Sequence, residues 1–127
     1  MEWKLTRNDP AEAKKYFEGK MRFTLGPMEV KYYRDQRVPM SIIDVRAPED
    51  FVKGHVPGAI NLPESQWESL RGLHKDQPNI IYCYSVVCHL GAKACLFFAN
   101  KGYSVIEMDG GYEYWKEYEL EEERSAA

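Results

Sequence analysis

The sequence predicts an α/β domain with a mostly parallel sheet and helices on both faces. Three observations carry this expectation. Short, nearly continuous apolar runs at residues 41–45, 79–83 and 103–108 read as strands buried on both faces. Segments of helical periodicity lie between these runs. Glycine and proline fall at the junctions, where chain reversals belong.

Taken in order, Asp9 and Pro10 open the first helix. Asp9 is placed to cap the free N–H groups, Pro10 fits the first helical position, and the pattern runs to about Glu18. Residues 21–25 suit an edge strand. Residues 27–35 form a second helix with Pro27 in its first turn. After strand 41–45, a weaker strand is expected at 58–62. Strand 79–83 leads through a short loop to a helix at 90–100, whose Leu90, Ala94, Phe97 and Phe98 share one face. Gly102 then sits where a left-handed cap ends that helix. The expected organisation is a helical extension packed on the domain (1–20), the domain itself (21–118) and a charged tail expected to fray (119–127).

The 127 residues suffice for one domain, and a hydrophobic fraction of 44% for one core without metal or disulfide staples. Seventeen basic against twenty acidic residues leave a net charge of −3, which offers no general attraction to nucleic acid or an anionic membrane. No apolar stretch is long enough to span a bilayer. The cysteines number three, an odd count, all within residues 83–95, which suits free thiols in a reducing compartment better than a disulfide scaffold. The cytoplasm is therefore the expected location.

Cys83 is the leading candidate for chemistry. It ends a buried strand and precedes a short loop, Tyr84-Ser85-Val86-Val87-Cys88-His89, that enters a helix. Ligands of open parallel sheets gather at such strand ends, where amide groups and the helix dipole favour an anion. A thiolate there is expected to have a lowered pKa and to act as a nucleophile. The competing reading is a buried structural cysteine. Cys88 is either a second sulfur for disulfide or persulfide exchange, or a small apolar plug; Cys95 falls in the helical core pattern. Cys83, Cys88 and His89 do not make a zinc site, because His55 and His74 supply no second cluster of suitable spacing. No metal or other cofactor is expected.

Three motifs then line up. Residues 44–51 (Asp-Val-Arg-Ala-Pro-Glu-Asp-Phe) with 54–61 (Gly-His-Val-Pro-Gly-Ala-Ile-Asn) resemble the signature near the start of rhodanese domains. Residues 80–83 are similar to the strand that delivers their catalytic cysteine, and Gly110-Gly111 with Trp115 resembles their closing motif. The resemblance covers roughly residues 40–115. It implies a five-stranded parallel sheet flanked by helices and sulfur transfer through a persulfide on Cys83. Asp44 and Arg46 read chiefly as organisers of the loops at the strand ends, and Gly110-Gly111 as a tight turn.

The loop departs from the family pattern. Cys88 stands where an arginine is common, and the chain resembles a subgroup with a Cys-x4-Cys loop. Without a guanidinium, phosphoryl chemistry loses the charge it needs for the oxyanion. Thiosulfate would rely on backbone N–H groups, Ser85, His89 and Lys93. The apolar Val86 and Val87 suit a neutral or protein-borne persulfide better. The expected partners are thus a small-molecule or protein-borne sulfur donor and a thiol or cyanide acceptor. The rival readings are a dithiol module using Cys83 and Cys88, and a scaffold without chemistry.

Overall fold

The computed structural model describes residues 5–125. The opening residues, including Trp3, and the last two alanines, which the sequence reading covered, lie outside the described residues. Five strands form one all-parallel sheet in the order β1-β5-β4-β2-β3. They are β1 (Thr24–Leu25), β2 (Ser41–Asp44), β3 (Ile60–Asn61), β4 (Asn79–Tyr82) and β5 (Val105–Met108). Five α-helices connect them: α1 (Pro10–Phe23), α2 (Pro27–Asp35), α3 (Pro48–Lys53), α4 (Leu90–Asn100) and α5 (Gly111–Glu117), with a 3₁₀ turn at Glu64–Ser69.

The apolar runs bury both faces of the sheet, as parallel strands require. Ile42, Ile80 and Met108 point to one side, against Val30 of α2 and Tyr112 and Trp115 of α5. Their neighbours Ile43 and Ile81 point to the other side, against Ala94 and Phe98 of α4 and against Trp67. Register pairs Asp44 with Tyr82 and Ile81 with Glu107, so the strands end nearly level and the connecting loops share one rim. No helix among the described residues is long and apolar enough to cross a membrane.

Both α2 and α4 occupy the residues read for them. Asp9 caps α1 by accepting the Ala11 N–H at 3.0 Å. That helix runs one turn past Glu18, because residues 19–23 keep helical pattern and Thr24 closes it by donating to the Lys20 carbonyl. This leaves only Thr24–Leu25 for the edge strand. None of the α1 side chains is buried, so the helix lies along the sheet edge without the packing expected of a cover.

The tail requires a correction. Residues 119–125 were expected to fray, yet the segment is tied to the body. His55 and Glu123 exchange both backbone hydrogen bonds at 2.9 Å, and Ser125 N–H donates to Val52 O. Trp115 Nε1 donates to Glu121 O at 2.8 Å, and the hydroxyl of Tyr112 reaches the Glu122 carboxylate. The charged composition hid the order, because backbone groups and the Glu122 and Glu123 carboxylates find partners on the body.

Candidate active site

Cys83 follows the last residue of β4, at the middle of the sheet rim. The loop after it turns tightly, with Cys88 N–H donating to Ser85 O at 3.1 Å, and delivers the chain into α4 at His89, whose side chain makes no capping bond. Tyr84, Val86, Val87 and His89 are exposed, while Ser85 and Cys88 are partly buried. The sulfur itself lies inside the curl, and Cys83 is only 3% exposed.

The backbone N–H groups of Ser85 and Gly91 lie close enough to Sγ to favour its charged form, as an anion cradle would. The expected lowering of the thiol pKa is nevertheless overturned. Burial is the largest influence and pushes Cys83 from an ordinary 9.0 up to about 11, with the amide of Gly91 opposing it. The adjoining Cys88 thiol raises it further, and the Cys83 S–H donates to the Cys88 carbonyl oxygen at 3.5 Å. At neutral pH the thiol in this closed loop is protonated. Cys95 behaves similarly: it is pushed up to about 12, first by burial and then by Glu107 and Cys83.

Gly110 and Gly111 do more than turn the chain. Gly111 has φ +59°, and a Cβ there would lie 2.6 Å from the Cys83 carbonyl oxygen and 2.9 Å from Ser85 N. Only a glycine lets the backbones come this close. The approach allows Tyr112 N–H to donate to Cys83 O at 2.9 Å and Glu113 N–H to Tyr84 O at 3.0 Å. The first turn of α5 thereby holds the start of the loop.

On the other flank, Asp44 is fully buried at the end of β2 and grips Arg46. Arg46 Nε donates to both carboxylate oxygens at 3.1 Å, Nη2 to Oδ2 at 2.8 Å, and Nη2 also to Gly54 O at 2.7 Å. Its guanidinium stacks 4.1 Å from the Tyr112 ring centroid. With Nε and Nη2 engaged by Asp44 and Gly54, Arg46 organises the rim, and its charge is compensated by the buried carboxylate. Tyr84 ties the loop to this flank by donating to Asp50 Oδ2 at 2.5 Å and accepting from Ala47 N–H at 3.0 Å. Lys93 lies 3.9 Å from Glu64 on the exposed side of α4.

Residues 29–118 match the sequence model of the rhodanese-like domain, most of the chain. The chain belongs to the rhodanese-like domain family. The thiosulfate sulfurtransferase GlpE of Stutzerimonas stutzeri is 34% identical over 77 residues, covering 59% of this chain and 69% of that protein. The HTH-type transcriptional regulator Rv0324 of Mycobacterium tuberculosis is 31% identical over 78 residues, which is 61% of this chain but only 34% of that regulator. Among solved structures, the BH2092 protein of Bacillus halodurans superposes with a TM-score of 0.84 at 28% identity, covering 91% of this chain and 87% of that one. The rhodanese-like fold read from the motifs is thus the fold of the protein.

Sequence reasoning missed one neighbour of the cysteine. A Cβ at Gly91 would lie 3.2 Å from Cys83 Sγ and 2.7 Å from Glu107 Oε2, so sulfur and carboxyl face the same bare glycine. The available signal was a single charged residue inside the apolar run of β5. Burial raises the Glu107 pKa, Asp109 raises it further, and His89 lowers it.

Proposed function

We propose that this rhodanese-like domain is a sulfurtransferase that carries sulfane sulfur on Cys83, from a small-molecule or protein-borne donor to a thiol or cyanide. The observation that carries the reading is a thiol at the central strand's exit, flanked by the Ser85 and Gly91 amides that favour its charged form. Membership of the family and the named activity of the Stutzerimonas relative support the same chemistry.

In the first half-reaction the Cys83 sulfur attacks the outer sulfur of a persulfide donor, R–S–SH. The donor's S–S bond breaks, Cys83 becomes a persulfide, and R–SH leaves with the proton that Cys83 gives up. In the second, an acceptor removes the outer sulfur and Cys83 returns to the thiol, so double displacement follows. The two amides meet the negative charge carried by the outer sulfur. Val86 and Val87, exposed at the loop tip, favour an uncharged or protein-borne donor over thiosulfate.

Cys88 supports a second reading, since its thiol adjoins Cys83. Attack by Cys88 on a Cys83 persulfide would release hydrosulfide and leave a Cys83–Cys88 disulfide. Intact-mass measurement after treatment with glutathione persulfide separates the outcomes. Gain of one sulfur at Cys83, discharged by added thiol and absent in Cys83→Ser, is the expected result. Loss of two alkylatable thiols without sulfur gain assigns the dithiol reading instead. Turnover unaffected by Cys83→Ser would end both.

A further inference from the structure

A groove of about 700 Å³ runs between α1 and the end of β5. Its α1 wall carries Lys15, Tyr16, Lys20 and Phe23, and its floor carries Glu107 and Asp109. The groove exists because α1 lies on the sheet edge without burying a side chain. Glu107 belongs to two places at once. It lines the groove, and its Oε2 abuts the bare Cα of Gly91, which also faces Cys83 Sγ. The sum of those two approaches places oxygen and sulfur within about 6 Å, a separation that one water bridges.

We propose that Glu107 is the proton relay between a small thiol acceptor seated in this groove and the sulfur on Cys83. The inference rests on the sulfurtransferase reading and adds to it the acceptor's class and path. Lysines on one wall and carboxylates on the floor complement a thiol bearing both carboxylate and ammonium groups. Tyr16 and Phe23 supply the apolar surface for its stem.

The step balances as follows. The Glu107 carboxylate takes the proton of R–SH, and the resulting thiolate attacks the outer sulfur of Cys83–S–SH. The persulfide S–S bond breaks, its electron pair stays on Cys83, and Cys83 takes the proton from Glu107. R–S–SH departs, and Glu107 is again a carboxylate. The charged and titratable groups facing Glu107 are Asp109 on its own strand, His89 from the loop, Cys83 after β4 and Cys95 on α4. Lys15, Lys20 and Glu12 of α1 line the same groove. Burial of the carboxyl raises its pKa toward that of a thiol, which suits it to pass protons between two sulfurs.

The test follows single-turnover discharge of Cys83 already loaded with sulfur, by rapid quench and intact mass. Reduced glutathione serves as the acceptor that must lose a proton, and a water-soluble triarylphosphine, which leaves as its sulfide, as the one that carries none. Glu107→Gln should slow discharge to glutathione about 10²-fold at neutral pH while discharge to the phosphine stays within a few-fold. The deficit should shrink as rising pH supplies free thiolate, and Glu107→Asp should restore part of the rate. Equal slowing with both acceptors, or a wild-type rate with glutathione, overturns the relay alone. A wild-type protein whose Cys83 never loads sulfur overturns the sulfurtransferase reading, and the relay with it.

Discussion

Replacing Gly111 by alanine tests whether the glycine pair shapes the reactive loop or merely turns the chain. Gly111 and Gly58 both have positive φ, +59° and +84°, so alanine meets the same backbone strain at either position, about 1–2 kcal/mol. Their surroundings differ. A Cβ at Gly58 meets nothing within 4 Å, whereas one at Gly111 meets Cys83 O, Ser85 N and Tyr84 C at 2.6, 2.9 and 2.9 Å. These are backbone atoms and cannot swing aside. Relief requires α5 to retreat, which breaks the hydrogen bonds from Tyr112 and Glu113 to the loop, about 1 kcal/mol each. It also loosens the buried Trp115. Gly111→Ala should therefore cost about 4 kcal/mol, a large part of the stability of any domain, against about 1 kcal/mol for Gly58→Ala. Urea unfolding of both variants measures the difference. Alkylation of Cys83 by iodoacetamide should quicken in Gly111→Ala as the loop loses its tether. Equal costs within about 0.5 kcal/mol, with unchanged alkylation, would refute the tether.

Two further outcomes follow from the buried groups. Arg46→Met should destabilise the domain by about 3–5 kcal/mol in chemical denaturation, because the fully buried Asp44 carboxylate loses the cation paired with it; Arg46→Lys should recover part, since an ammonium cannot reproduce the fork. Alkylation of Cys83 should titrate with a midpoint near 11 rather than below 9.0, and Cys88→Ser should move that midpoint down. The unfolded thiol ionises first, so the buried neutral thiol stabilises the fold fully below pH 9 and this contribution fades as pH rises through about 11.

How much of this was legible in the sequence depended on where each signal resides. The central strands showed because Ile42-Ile43 and Ile80-Ile81 bury both faces, and α4 because Ala94 and Phe98 recur on one stripe. Helices α3 and α5 did not show. The first is a single six-residue stretch with no buried face, and the second begins in two glycines, poor helix formers whose place is fixed by the loop they hold. The Asp44–Arg46 pair was readable as an organiser because strand ends need such ties. The thiol's ionisation was read in the wrong direction. Strand–loop–helix order reveals amides and dipole but not how completely the loop covers the sulfur. Glu107 went unread because its link to Cys83 passes through the absence of a side chain at Gly91.

The raised pKa and the amide cradle look contradictory, and their magnitudes resolve the conflict. A shift from 9.0 to about 11 amounts to roughly 3 kcal/mol against the thiolate. That figure is the net after the amides of Gly91 and Ser85 have favoured the anion, so burial outweighs them, and the thiolate gains only when water or substrate reaches the sulfur. What the closed loop lacks is access: Cys83 is almost fully buried and its S–H is held by the Cys88 carbonyl oxygen. Under the proposed sulfur transfer, a cycle on Cys83 would begin with displacement of that carbonyl. The loop is built for such movement: its start is held by α5 and by Tyr84, while Val86 and Val87 at its tip are mostly exposed and bound to nothing. Closed, it keeps a nucleophile protonated and shielded from oxidants. Under the same proposal, a donor packing on the two valines would open the loop and give access to a sulfur that the amides already flank.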